Sequence, residues 1–311
     1  MKPRSAMIFL KSLITASLVS LVFSGTAAFA ADRLSVLIVT GQNNHDWVRS
    51  TPIIERLLVE TGRFDVSVST SPSKEAPEDA WNDWAPAFKN YDVVLSDYNG
   101  KMWSDPLKKD FVNYVSGGGH VVLVHAANNA FSGWPEFEEM AGLLWRGADQ
   151  GDRLFLDEKL EPVRQPKGEG PGGGHGAGHS YPIATRDDQN PIFKDLPKLW
   201  MHVSDELYHA QRGPAKNVHI LATAFSSKEK GGTGVHEPMI WWIPYGKGKV
   251  ITLVPGHLGT NDKYPTTYDC VGFRTVLQRS VEWVATDKVT IPRPKNFPTT
   301  DTISVVPEAV K

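Results

Sequence analysis

The chain has 311 residues, 41% hydrophobic and 22% charged, which supplies apolar material for one large core or two small ones. Lysine plus arginine (33) nearly balances aspartate plus glutamate (35), and no basic stripe is present, so nucleic acid is not an expected partner. A single cysteine, Cys270, excludes an internal disulfide and a cysteine-built zinc site, and it reads as a small buried hydrophobe rather than a nucleophile.

Residues 1–30 combine a basic start (Lys2, Arg4), an apolar middle and the ending Ala28-Phe29-Ala30. This is the pattern of a Sec-type signal peptide cleaved after Ala30, and it predicts a periplasmic or secreted protein with no membrane association once the leader is removed. Next, "RLSVLIVTGQNNHDW" is a buried strand, Leu34 to Val39, running into a polar loop. "STPIIERLLVETGRF" is a helix with Ile53, Ile54, Leu57 and Leu58 on one face, capped by Ser50 or Thr51 and ended by Gly62. "FDVSVST" and "YDVVLSDYNG" are two more strands, "SDPLKKDFVNYVSGGG" a helix stopped by glycines, and "GHVVLVHAA" a fourth strand.

Strands alternating with helices up to about residue 145 predict a doubly wound α/β domain with a mainly parallel sheet and helices on both faces. Residues 150–180 lack pattern, and "PKGEGPGGGHGAGHSYP" reads as a flexible surface loop, with a flap bringing in His175 or His179 as the alternative. Further on, "MIWWIPYGKGKVITLVPGH" is a hairpin turning at Gly246-Lys247-Gly248, and "CVGFRTVLQRSVEWVA" is a final helix. The domain is expected to span residues 31–287, and the Pro-rich segment 288–311 to form an extended strap or a disordered tail.

In open α/β sheets ligands bind beyond the carboxyl ends of the strands. The loops there carry Gln42, Asn43, Asn44, His45, Asp46 and Trp47, then Asp97, Tyr98 and Asn99, then His125, Asn128 and Asn129, and they are expected to meet in one cleft. The strand Val250 to Val254 likewise ends in a histidine, His257. His120, His202 and His219 read as structural.

The blocks "NNHDW", "GGGHVVLVHAANNAFSGWPEFEEMAGLLW", "HVSDELYHA", "HEPMIWW", "YGKGKVITLVPGH" and "CVGFRTVLQRSVEWVA" resemble the trehalose-utilisation (ThuA-like) family over residues 34–287. The resemblance implies a flavodoxin-like fold similar to class I glutamine amidotransferases. Where those enzymes keep a cysteine in the turn after a central strand, this chain has His125, and Cys270 is too distant to substitute. The family further implies a hydrolase, lyase or isomerase acting on trehalose-related disaccharides or 3-keto-glycosides. A non-catalytic glycan-binding protein is the alternative.

Histidines and carboxylates at the mouth of a sheet suit proton transfer or the binding of a divalent metal with an open position for substrate. His125, His257, His45, Glu206 and His209 are the candidate catalytic residues. In this reading His125 or His257 removes the C2 proton of a 3-keto sugar and Glu206 or His209 protonates the departing oxygen. His45, His125 and His257 are also the candidate metal ligands, although no tight metal-binding spacing occurs. Asn44, Trp47, Asn128, Trp134, Asp205, Tyr208 and Glu237 are candidate contacts to a small carbohydrate, since aromatic faces suit sugar rings. No nucleotide cofactor is expected, because the glycine run does not join a strand to a helix.

Overall fold

The computed structural model describes Met1 and residues 33–306, so the leader expected over residues 1–30 falls outside the described residues apart from Met1. No helix among the described residues is long and apolar enough to cross a membrane.

The first half alternates as expected: β1 (Leu34–Thr40), α1 (Trp47–Val59), β2 (Phe64–Thr70), α2 (Glu78–Asp83), β3 (Val93–Ser96), α3 (Asp105–Gly117), β4 (His120–Val124) and α4 (Pro135–Ala141). Residues 150–185 are more ordered than their composition suggests, forming β5 (Arg153–Leu156), β6 (Pro162–Gln165), β7 (Gly174–His175) and β8 (His179–Thr185). They are followed by β9 (Leu199–Asp205), β10 (Tyr208–His209), β11 (His219–Phe225), β12 (His236–Tyr245), β13 (Gly248–Leu253), α5 (Thr266–Asp269) and α6 (Val271–Thr286).

The main sheet runs β2-β1-β3-β4-β13-β12-β11-β8-β9, with β5 and β6 branching from β12. Neighbours from β2 to β13 pair in parallel, and those from β13 to β9 antiparallel. The domain is α/β and flavodoxin-like. The period-two alternation of β1 shows why both faces are covered. Val36 and Ile38 pack with Ile54 and Leu57 of α1 and with Val276 and Leu277 of α6. Leu37 and Val39 face Leu107, Phe111 and Val115 of α3 and Phe137 of α4.

Two local expectations are corrected. Helix α1 starts four residues earlier than a Ser50 cap would place it: Asp46 is the cap and accepts from the Arg49 amide at 3.3 Å. Ser50 and Thr51 lie inside the helix and donate instead to the buried Asp97 carboxylate, at 2.7 and 2.9 Å. The Gly-rich stretch is not a loose loop. The fully buried Arg212 guanidinium bonds the carbonyls of Pro166, Glu169 and Pro171, and Gly173 donates to the Arg146 carbonyl at 2.7 Å. Over its described residues, 288–306, the C-terminal segment lies along the domain: Thr299 accepts from the Met201 amide, and Ser304 from the Val271 amide.

Candidate active site

Strands β1, β3, β4 and β13 all end on one side of the sheet, and their exit loops build the centre. Chain direction turns sharply after β4, placing His125 in the left-handed region at φ 49°. Such backbone costs a non-glycine residue on the order of 1–3 kcal/mol and is kept where surroundings hold it. Gly256 after β13 makes room for it, since a Cβ there would lie 2.8 Å from the His125 Cβ.

Three imidazoles meet at these tips. The ring centroid of His45 lies 4.6 Å from that of His125 and 5.0 Å from that of His257. Each ring has its Nδ1 committed to an outward acceptor. His125 Nδ1 donates to the Val254 carbonyl at 2.7 Å, His45 Nδ1 faces the Asn43 carboxamide oxygen at 3.3 Å, and His257 Nδ1 faces Asp262 at 3.3 Å. The Asn43 orientation is fixed because its amide nitrogen donates to Asp97 Oδ1 at 3.3 Å. These acceptors put the proton of each neutral ring on Nδ1 and leave Nε2 with its lone pair turned inward.

The inward nitrogens surround Glu206, which follows β9. Its Oε2 lies 3.6 Å from His125 Nε2 and 3.9 Å from His45 Nε2, and its Oε1 lies 3.4 Å from His257 Nε2. Burial alone would raise the Glu206 carboxyl; the imidazoles of His125, His45 and His257 beside it hold it well below the ordinary range instead. Glu206 is therefore an ionised acceptor, not the proton donor of the sequence reading. Burial pushes the His125 imidazole down, against the pull of Glu206, and so favours its neutral form. The Tyr208 hydroxyl lies 2.9 Å from His125 Nε2.

Asp205 ties the centre together from below. Its Oδ1 accepts from the amides of Glu206 and His257 at 2.7 and 3.3 Å, and its Oδ2 from the amide of Gly256 and from His202 Nε2 at 3.1 and 2.8 Å. Cys270, His202 and Asp205 form a Cys–His–carboxylate group, but their exposures of 0, 0 and 4% keep substrate from the thiol.

The remaining sequence candidates fall elsewhere. Successive strand residues point to opposite faces, so Tyr208 reaches His125 while His209 turns away to Ser226 Oγ at 3.3 Å. Trp134 is buried among Trp103, Phe111, Phe131 and Phe137, which leaves no ring face for a sugar. Asn128 is buried against Gln211, and Glu237 is buried in an ion pair with Arg153. Asp205 is buried against backbone amides and His202 and borders the cavity that Glu206 and His257 line. Asn44 and Trp47 do line a cleft of about 600 Å³, with Lys74, Asn99 and Lys101. A second cavity, about 390 Å³, is lined by Glu206, His257, Asp262, Lys263, Tyr264 and Thr267. Sequence reasoning missed Asp262, four residues short of α5, because nothing in its spacing marks it as a partner of His257.

Asp97 offers a direct test of this architecture. Burial raises its carboxyl to about 6 from 3.8, against the bonds from Ser50 and Thr51. A carboxyl whose folded pKa is raised binds more protons folded than unfolded, so stability falls as pH rises through that window and is flat above it. Measured by urea unfolding, the wild type should lose about 3 kcal/mol relative to Asp97→Asn between pH 3 and 7, with no further change to pH 8. A constant difference over that range would refute the raised value.

Taken together, the molecule is a flavodoxin-like α/β protein with a histidine–glutamate centre at the carboxyl ends of its parallel strands. The sequence matches the trehalose-utilisation (ThuA) family over residues 35–284, and the chain belongs to that family, which gives it a sugar-related function. It is similar to the solved structure of a ThuA-like protein from Parabacteroides merdae, with 38% identity and a TM-score of 0.83 over 88% of this chain and 98% of that one. A ThuA-like protein from Bacteroides uniformis shares the fold at 18% identity and a TM-score of 0.54, over 86% of this chain and 98% of that one. No curated protein matches the sequence.

Proposed function

We propose that the protein is an extracytoplasmic enzyme that cleaves or rearranges 3-keto-glycosides, using a divalent cation held by His45, His125 and Glu206 and proton transfer by His257. The location rests on the leader pattern of residues 1–30. The observation that carries the cation is the spacing of the three donors. Two nitrogens bound to one tetrahedral zinc ion at about 2.05 Å sit about 3.3 Å apart. His45 Nε2 and His125 Nε2 are 3.3 Å apart, and all three donor atoms lie within 4.8 Å of one another. With both Nδ1 protons directed outward, a cation or one shared proton between these two nitrogens would relieve the repulsion of their lone pairs.

A cation there supplies Lewis acidity to a carbonyl or enolate oxygen. The chain supplies the rest. His257, oriented by Asp262 on Nδ1 and a quarter exposed in the 390 Å³ cavity, is placed to take the C2 proton of a 3-keto sugar. Glu206 fixes the inner ends of the rings, and the buried Asp205 fixes the backbone of both Glu206 and His257. Asn44 and Trp47 flank the centre with polar and aromatic surface suited to a sugar ring.

The test incubates purified protein with 3-keto-trehalose, with and without chelator, and follows free glucose and the oxidised sugar released with it. Turnover that chelator abolishes and added metal restores is expected. Saturable sugar binding without turnover would make the protein a glycan-binding module and sink the enzyme reading.

A further inference from the structure

The two oxygens of Glu206 have different company. Oε2 faces the two donors that flank the cation position, His45 and His125, whereas Oε1 faces His257 on one side and a fourth imidazole, His175, on the other. His175 Nε2 lies 3.4 Å from Oε1, the same distance as His257 Nε2. Its Nδ1 donates to the Gly176 carbonyl at 2.7 Å, so this ring also turns Nε2 inward.

The Gly-rich arm is built to hold that ring. β7 pairs with β10, setting His175 opposite Tyr208 and Gly174 opposite His209. Trp145 lies against the His175 ring, with centroids 5.6 Å apart. On the far side Ala177 donates to the Lys230 carbonyl at 2.8 Å, and a Cβ on Gly176 would collide with that carbonyl. Arg212 clamps the other end of the arm. Glycine here serves close backbone approach, not looseness.

We propose that His175 is a second catalytic residue, the group that protonates the departing glycosidic oxygen while His257 takes the proton from the adjacent carbon. This rests on the reading of the protein as a 3-keto-glycoside enzyme. The step balances. The C2–H pair becomes the enolate, the enolate collapses to re-form the C3 carbonyl and a C1–C2 double bond, and the C1–O pair leaves with the oxygen. His257 gains one proton and His175, acting as the imidazolium with a proton on Nε2 as well as on Nδ1, gives one to that oxygen, so the net change is loss of an alcohol from the 3-keto-glycoside.

Other donors are placed less well. Glu206 is ionised, Tyr208 is buried with its hydroxyl directed to His125, and His209 is bonded to Ser226 on the opposite face of β10. His175 is 39% exposed, so solvent can return its proton after each cycle.

The experiment compares two leaving groups. For His175→Ala and His175→Gln, cleavage of 3-keto-trehalose should fall at least about 100-fold, the usual size of a general-acid contribution. Cleavage of 4-nitrophenyl 3-keto-glucoside should stay near wild type, because nitrophenolate leaves without a proton. Exchange of the C2 proton in D2O should persist in both variants and vanish in His257→Ala, with bound metal and thermal midpoint unchanged. Equal loss on both substrates, loss of exchange or of metal in the His175 variants, or no effect at all would overturn the proposal. A wild type that neither cleaves nor exchanges either substrate would sink the parent reading, and this one with it.

Discussion

Replacing His125 with alanine is expected to remove the bound cation and to cut turnover of 3-keto-trehalose by about three orders of magnitude, within the range of 10²–10⁴ for acid–base and metal-centred groups. His125 supplies one of two nitrogens spaced for a single ion, and its Nδ1 bond to the Val254 carbonyl sets the ring so that no other side chain can take its place. The variant also leaves that carbonyl without its donor, a loss of about 1–3 kcal/mol, so the protein should remain folded but melt earlier. Glu206→Gln is the cleaner companion. It keeps the volume and removes the charge, and it should lose the cation with little change in stability. Asn43→Ala, which reaches the centre through His45, should weaken metal affinity about 10–100-fold. Elemental analysis of untagged wild type, His125→Ala and Glu206→Gln checks all of this. Absence of a stoichiometric divalent ion in the wild type after metal loading would refute the cation and leave a shared proton between His45 and His125.

Much of this centre was legible in the sequence, and the reason is topological. A parallel strand must stop at the edge of its sheet, so a histidine after Val39, Val124 or Val254 is delivered to the ligand-binding end wherever the helices lie. That rule found His45, His125 and His257 without coordinates. It does not say which way a residue turns once the strand has ended. Asn128, three residues past His125, belongs to the same loop yet is buried against Gln211. Trp134 looked like a sugar platform because aromatic residues serve both clefts and cores, and here it closes an aromatic core. In "SDELYHA" the polar density was correctly seen, but alternation along the chain divides it. Asp205 and His209 face away from the cluster that Glu206 and Tyr208 enter. His175 entered only through the alternative reading of a flap, for a different reason. A glycine run reads as freedom, and only the buried Arg212, forty residues downstream, turns it into a fixed arm.

Asp205→Ala should then do damage of two kinds. The carboxylate is 4% exposed and accepts from three backbone amides and from His202, so alanine strands those donors and a buried imidazolium. Breaking a buried pair in this way costs about 3–5 kcal/mol. Because two of the amides belong to Glu206 and His257, metal binding and turnover should fall with stability. The pair also has a pH signature. Burial opposes charge on His202, but Cys270 and Asp205 beside it prevail and raise the imidazole to about 9 from 6.5. A histidine whose folded pKa is raised stabilises fully below its unfolded value and loses that contribution as pH climbs through the folded one. The stability gap between wild type and Asp205→Asn, which keeps the shape without the charge, should therefore be widest at pH 6 and shrink between pH 6.5 and 9.5. Urea unfolding across that range measures it, and a gap that does not narrow would mean that His202 is neutral in the folded protein.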